Sequence, residues 1–182
     1  MEDLSLHILD VAENALSAGA TQIWIVIAED TARDLMSIEI SDNGRGMTAE
    51  EAARVVDPFY TTRSTRRVGL GLPLLDAAAL EANGHMEVLS TPGEGTTVIA
   101  RFQLSHVDRK PLGDIAETLV ALIAARPDLE LSYRHIRNER SIQLTTEELR
   151  RHLGGLPANS PDTLRFIRAF VRQEENELLT TA

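Results

Sequence analysis

The sequence predicts an α/β protein in which helices and a largely antiparallel sheet form a two-layer α/β sandwich, followed by a small α+β annex. Up to Ser105 the apolar patterns follow the order helix, strand, strand, helix, loop, helix, strand, strand, which is typical of a layered α/β domain. After Ser105 a second series follows the order helix, strand, strand, helix, helix. We therefore predict a domain over residues 1–105 and an annex over residues 106–182.

The first predicted element is a helix that ends at "AGA", residues 18–20. Its apolar positions are three or four residues apart: Leu4, Ile8, Val11 and Ala15. A second, polar stripe with the same spacing consists of His7, Asp10, Asn14 and Ser17. These polar side chains share one face of the helix, and a solvated face is the usual role of such a stripe.

The next elements of the predicted domain follow from alternation and capping. The segment "TQIWIVIAED" predicts a strand that is apolar on both sides, and "LMSIEIS" predicts a second strand with cleaner alternation. Thr48 with Glu51 predicts a capping box for a helix over 49–56. Pro73 suits the first turn of the next helix, which ends at the Asn-Gly pair 83–84. The segments "HMEVLS" and "TTVIARFQL" predict two further strands around the turn "TPGEG".

The annex is predicted to begin with a helix over "PLGDIAETLVALIAAR". The segments "LELSYRH" and "RSIQL" predict a hairpin around Asn138, and Thr145 or Thr146 caps a short helix after it. Ser160 and Pro161 are the predicted cap and first residue of a last, amphipathic helix. Its apolar side holds Leu164, Ile167, Phe170 and Val171, and its basic side holds Arg165, Arg168 and Arg172.

Composition excludes several classes of function. The net charge of −10 argues against nucleic acid as a partner. No apolar run approaches the ~18 residues of a membrane span, and the acidic start "MEDLSLHILD" lacks the basic region of a secretory signal. There are no cysteines, and we expect a cytoplasmic location. The five histidines lack metal-ligand spacing, and we interpret them as structural or surface residues: His7, His85, His106, His135 and His152.

Three glycine clusters occur in order: "DNGRGM" at 42–47, "GLGL" at 69–72 and "GEGTT" at 93–97. Each alone fits an ordinary turn, because Asp/Asn-Gly is a strong hairpin signal and Gly-rich loops are common. Their order after a helix with a polar stripe is far more specific than any one of them.

Together with that helix, the clusters resemble the GHKL superfamily of ATP-binding domains, which includes gyrase, Hsp90, histidine kinases and MutL. "DVAENALSAGAT", "DNGRGM", "DPFYTTR", "GLGL" and "GEGTT" are similar to the N, G1, F, G2 and G3 boxes, in family order, from residue 4 to about residue 104. The resemblance implies the Bergerat ATP-binding fold, with ATP and Mg²⁺ as ligands.

At the base end of the implied site, the resemblance assigns Asp42 as the acceptor of a hydrogen bond from the adenine 6-amino group. Gly44 and Gly46 carry no Cβ and allow the backbone to approach the purine. Met47 is expected to form an apolar side of the pocket, and Thr96 to be a polar contact near the base.

At the phosphate end, the resemblance assigns Asn14 as a ligand of Mg²⁺, a cation that prefers oxygen ligands. Asp10, one turn earlier, stands where the MutL-like and chaperone branches carry a Glu that acts as general base. It is our candidate catalytic residue, although its side chain is one methylene shorter. Residues 59–72 are the expected lid, and its ATP contacts are Thr61, Thr62, Arg63, Gly69, Leu70, Gly71 and Leu72.

"DPFYTTR" and "GLGL" look most like the histidine-kinase branch, whose domain carries ATP to a phosphoacceptor His on a helical hairpin. Here the N box begins within ten residues of the N-terminus, so we expect the acceptor on a partner protein. Phosphoryl transfer mostly needs positioning and charge stabilisation, so the acceptor can come from a partner. Our first interpretation is a stand-alone kinase-type domain in signal transduction, which phosphorylates another protein on His, Ser or Thr.

Two alternatives stay open. The first is an ATPase switch of the MutL or chaperone type, with a homodimer as a further partner; Asp10 and "ENALSAGAT" favour it. The second is a nucleotide-dependent binding module without turnover. In all three interpretations the expected partners are ATP and protein, with no nucleic acid and no membrane.

Overall fold

The computed structural model describes residues 3–55, 71–154 and 156–180, and within them six helices and six strands form. The helices are α1 Leu4–Ser17, α2 Ala49–Arg54, α3 Gly71–Glu81, α4 Ile115–Ala125, α5 Thr146–His152 and α6 Pro161–Thr180. The strands are β1 Gln22–Asp30, β2 Leu35–Asp42, β3 His85–Thr91, β4 Gly95–Gln103, β5 Glu130–Arg137 and β6 Arg140–Thr145.

All six strands belong to one sheet with the order β3-β4-β2-β1-β5-β6. Neighbouring strands are antiparallel except β1 and β5, which are parallel and place Ile25 beside Tyr133. The two strands that follow Ser105 therefore extend the sheet formed by the first four. The boundary at residue 105 stays a prediction.

Within the described part of the chain, helices cover one face of the sheet, and side chains of the other, open face are exposed. Along β1, Ile23, Ile25 and Ile27 are fully buried, whereas Trp24 between them is 41% exposed. The side chains of β1 thus alternate between the helical layer and the open face. This arrangement confirms the predicted two-layer α/β sandwich.

The start of α1 is fixed by Asp3, whose Oδ1 accepts the Leu6 N–H at 3.1 Å. The polar stripe of α1 is not a solvated face, since His7 is fully buried and Asp10 and Asn14 are half-buried. Only Ser17 of the four is exposed. The stripe lies largely inside the molecule.

Capping explains most of the helix boundaries. Thr48 and Glu51 form the predicted capping box of α2, and Asn83 adopts a left-handed φ of 54° just after α3. The predicted start of α4 near Pro111 was wrong, because Asp114 is the N-cap and accepts the Glu117 N–H. The carbonyls of Pro111 and Leu112 instead accept the first N–H groups of α1.

In the annex, Thr145 is the N-cap of α5, and the buried Thr146 hydroxyl donates to the Leu129 carbonyl at 3.0 Å. The basic side of α6 is not purely solvated, because Arg168 and Arg172 form ion pairs with acidic residues of α4. Over the described part of the chain, no helix combines the length and the apolar character that a membrane span requires.

Candidate functional site

Asp42, the last residue of β2, lies opposite Thr96 of β4, so the sheet brings together two of the predicted base contacts. Its carboxylate is half-buried, and Oδ1 accepts the Gly44 N–H at 2.7 Å. Burial raises the pKa of Asp42, while the backbone N–H groups of Gly44 and Thr96 act in the opposite direction. The carboxylate retains lone pairs for a further donor.

The turn after Asp42 is fastened to its surroundings on two sides. Oδ1 of Asn43 accepts the N–H groups of Thr21 and Gln22, each at 2.9 Å. The Arg45 N–H donates to the Ala18 carbonyl at the end of α1. The turn is therefore held at the C-terminal end of α1, with Asp42 in a defined position.

Gly46 and Gly95 are packed so closely that neither position has room for a side chain. A Cβ on Gly46 would lie 2.0 Å from the Thr91 carbonyl oxygen, and a Cβ on Gly95 would lie 1.9 Å from the Asp42 carbonyl oxygen. Both glycines also have positive φ values, 65° and 121°. The first and third glycine clusters thus form one tightly packed unit around Asp42.

Gly46→Ala is expected to destabilise the fold by about 1–3 kcal/mol more than Gly93→Ala does. Both glycines have positive φ, so both substitutions carry the left-handed penalty of about 1–2 kcal/mol. Only Gly46 adds a clash, because nothing lies within 4 Å of a Cβ on Gly93. Urea unfolding of the two variants measures the difference, and equal losses would contradict the packing described here.

Ser90 is a central residue of this unit that the sequence analysis did not identify. Its hydroxyl accepts the Met47 N–H at 2.8 Å, donates to the Gly95 carbonyl at 2.9 Å, and lies 2.8 Å from the Thr96 hydroxyl. It joins two of the predicted contacts, Met47 and Thr96, and a lone serine in a strand gives no sequence signal for that role.

The predicted phosphate-end residues of α1 lie on the same helix, further from the turn. Asn14 lies one turn before Ala18 and Asp10 two turns before it, about 6 and 12 Å along the axis. A Cβ on Gly71 would lie 2.9 Å from the Asp10 Cβ, so the first residue of α3 packs directly against Asp10. The N-terminus of α3 therefore lies beside Asp10, and helix N-termini are general binding sites for anions.

His7 adds a buried imidazole to the same face of α1. Neither of its ring nitrogens has a hydrogen-bond partner in the described structure. Burial, together with the charge of Lys110, lowers the pKa of His7 to about 4, so the side chain is neutral at pH 7. The structure shows no contact that makes this histidine part of the site.

The structure places some of the predicted site residues and not others. Asp42, Gly44, Gly46, Met47 and Thr96 are brought together, and Gly71 and the buried Leu72 begin α3 beside α1. Five predicted lid contacts lie outside the described residues: Thr61, Thr62, Arg63, Gly69 and Leu70. Among the residues that are described, no group of three His, Asp or Glu side chains is arranged to hold a metal ion.

Comparison with known proteins identifies relatives of the first part of the chain. A family model described as "Histidine kinase-, DNA gyrase B-, and HSP90-like ATPase" matches residues 2–106. The non-motile and phage-resistance protein of Caulobacter vibrioides is 33% identical over 112 residues, which cover 57% of this chain and 13% of that protein. The sensor protein kinase FleS of Pseudomonas aeruginosa is 34% identical over 110 residues, 60% of this chain and 27% of FleS. The chain thus spans a small fraction of the length of these relatives.

Two solved structures share the fold at 18% sequence identity. The Aquifex aeolicus MutL ATPase domain complexed with ADP has a TM-score of 0.53 and covers 82% of this chain and 68% of its own. The N-terminal domain of a DNA repair protein has a TM-score of 0.54 and covers 80% and 53%. Because residues 2–106 are only 105 of the 182 residues, the likeness of fold extends beyond the part that matches the family model.

Proposed function

Because the chain belongs to the family of histidine kinase-, DNA gyrase B- and HSP90-like ATPases, we propose that residues 1–105 bind Mg-ATP and that the chain transfers the terminal phosphate to a partner protein. The observation that carries the proposal is the position of the half-buried Asp42 carboxylate in a close-packed glycine turn at one end of α1. Asp10 and Asn14 lie further along the same helix, where a triphosphate extending from the base would run.

The base end suits an adenine ring. The Asp42 carboxylate accepts only, and the adenine 6-amino group is a donor. Since one carboxylate oxygen already accepts the Gly44 N–H, the side chain is held in a fixed orientation for the purine. Met47, half-buried beside it, supplies apolar surface.

The phosphate end suits Mg²⁺ held jointly by protein and nucleotide. Mg²⁺ keeps several waters and takes one or two protein oxygens together with substrate phosphates. A site in which Asn14 is the one predicted protein ligand therefore suits this ion. Asn14 would be the ligand, and the ion would neutralise charge that develops on the phosphates. Asp10 would orient a water or an acceptor group.

The reaction we propose is phosphoryl transfer. The bond between the terminal phosphorus and its bridging oxygen breaks, ADP leaves, and an oxygen or nitrogen of the partner forms the new bond and loses its proton. The support for transfer over hydrolysis is that relatives such as FleS are sensor kinases by name. Hydrolysis by an ATPase switch is the second candidate, because Asp10 puts a carboxylate beside Gly71 at the start of α3.

Incubation of the purified chain with γ-labelled ATP, Mg²⁺ and a lysate of the host separates these functions. Kinase activity predicts a labelled partner protein, and a switch predicts free labelled phosphate without labelled protein. Retained, unhydrolysed ATP indicates a binding module. The Asp42→Asn variant is the negative control, and a parent chain that gives no labelled protein, no free labelled phosphate and no retained ATP would contradict all three.

Asn14→Ala is expected to weaken the Mg²⁺ dependence of ATP binding, with affinity in the presence of Mg²⁺ reduced roughly tenfold or more. The matched control is Glu13→Ala, the neighbouring residue on α1, whose side chain is exposed. Calorimetric titration with and without Mg²⁺ measures the effect. If both variants respond to Mg²⁺ like the parent, Asn14 is not a ligand.

A further inference from the structure

The C-terminal helix α6 packs on the rest of the molecule through a stripe that contains polar as well as apolar residues. Only five of its twenty residues are buried, and two of these are polar: Thr163, Ile167, Val171, Glu175 and Leu178. A core-facing helix usually buries three or four residues in every two turns. Leu164 and Phe170 also pack against the core while partly exposed, so α6 docks through a mixture of apolar and polar contacts.

Glu175 carries the buried polar contacts of α6. Its Oε1 accepts the Tyr133 hydroxyl at 2.5 Å, and its Oε2 lies 2.8 Å from Nδ1 of His135. Tyr133 and His135 both belong to β5 and are 1% and 0% exposed. The buried hydrogen bonds between α6 and β5 thus converge on a single carboxylate.

Three further charged groups complete this buried cluster. Oε1 of Glu29, on β1, lies 3.5 Å from Nε2 of His135, and Oε2 of Glu29 lies 3.1 Å from Nη1 of Arg137. Arg109, in the connection after β4, also acts on Glu29 electrostatically. His135 therefore lies between a carboxylate from β1 and a carboxylate from α6.

This arrangement stabilises the charged form of His135. Burial lowers the pKa of His135, but the hydrogen bond to Glu175 and the negative charges of Glu175 and Glu29 outweigh it and raise the pKa to about 9. Burial tends to raise the pKa of Glu29, but His135, Arg137 and Arg109 hold it below its usual value. If α6 leaves, Glu175 leaves with it and the imidazole loses its nearer anion.

The outer contacts of α6 are exposed ion pairs with α4. Arg172 contacts Asp114 and Glu117 at 2.6 and 2.7 Å, and Arg168 contacts Glu117 at 2.6 Å. Exposed pairs of this kind contribute about 0–1 kcal/mol each and are screened by salt. These exposed ion pairs therefore do not hold α6 in place of the buried cluster.

We propose that α6 is a releasable strap, which docks on β5 while His135 is protonated and detaches from an otherwise intact sheet when His135 loses its proton. Release removes the cover from Tyr133 and His135, and turns a buried polar surface of the sheet into an accessible one. The device is independent of nucleotide binding and responds to alkaline pH, or to any partner that competes for Glu175.

Hydrogen exchange of the full chain, compared near pH 7 and near pH 10 and corrected for the intrinsic pH dependence of exchange, tests this proposal. The protection of amides in 161–180 is expected to fall on the order of 10- to 100-fold, while amides of β1 and β2 keep theirs. The pKa of Tyr133 is raised well above 10, so its hydroxyl stays protonated over this range. Unchanged protection of α6, or simultaneous loss in α6 and β1, would overturn the proposal.

Glu175→Gln removes the charge that faces His135 but retains an acceptor for Tyr133. It is expected to lower the protection of α6 already at pH 7 and to flatten its pH dependence. The matched control is Glu174→Gln, the same change on the neighbouring residue of α6, which lies outside the buried stripe. If the two variants exchange alike, Glu175 does not hold the strap and the proposal fails.

Discussion

Replacement of Asp42 by asparagine is expected to weaken ATP binding by about tenfold to a hundredfold, the equivalent of one hydrogen bond to a charged group. The carboxylate accepts from the backbone while keeping lone pairs for the purine. An amide has one oxygen and an NH₂ group, so in either orientation it presents a donor to another donor. Titration with a fluorescent ATP analogue measures the loss.

The matched control for this substitution is Asp34→Asn, at the opposite end of β2. Asp34 accepts from Ser105 and Gln103 and has a φ of 53°, a conformation that asparagine tolerates. This variant should bind ATP like the parent, even if it is less stable. The parent should also prefer ATP to GTP, since guanine presents a carbonyl oxygen where adenine has its amino group. Equal affinity of the parent and the Asp42→Asn variant for ATP would contradict the proposed base contact.

The fold was largely predictable because its signals are local. The apolar run of β1, the alternation in β2, the capping box at Thr48, and the Asn83-Gly84 pair each depend on residues a few positions apart. The glycine clusters were informative for a similar reason, since backbone that touches backbone, as at Gly46 and Gly95, admits no other residue. The family assignment, confirmed by the match over residues 2–106, follows from their order.

Contacts between distant segments were not predictable. The parallel pairing of β1 with β5 joins residues more than 100 positions apart, and no local pattern encodes it. The role of Ser90 and the buried state of His7 depend on what the sheet and α3 place around them. The predicted start of α4 was too early, because the backbone carbonyls of Pro111 and Leu112 accept the first N–H groups of α1 and these residues lie outside α4.

The free energy of unfolding is expected to pass through a maximum near pH 6.5, because the two buried histidines have opposite pKa shifts. The pKa of His7 is lowered from 6.5 to about 4, so the unfolded chain binds a proton that the folded chain excludes. Its contribution is complete above pH 6.5 and is lost as the pH falls toward 4. The pKa of His135 is raised from 6.5 to about 9, so its contribution is complete below pH 6.5 and is lost as the pH rises through 9.

Each of these two changes in pKa, about 2.5 in size, corresponds to about 3 kcal/mol in the free energy of unfolding. Urea unfolding of variants separates the acid side of the stability curve from its alkaline side. His7→Leu removes a buried imidazole that lacks partners, so this variant should exceed the parent in stability at neutral pH. Its advantage should grow by up to about 3 kcal/mol between pH 6.5 and pH 4, since leucine binds no proton. A pH-independent difference would show that His7 is not held neutral in the fold.

On the alkaline side, Glu175→Gln should reduce the decline of the free energy of unfolding above pH 6.5, because His135 then loses the anion nearest to it. If the alkaline part of the curve is the same in this variant and in the parent, a group other than His135 causes the decline.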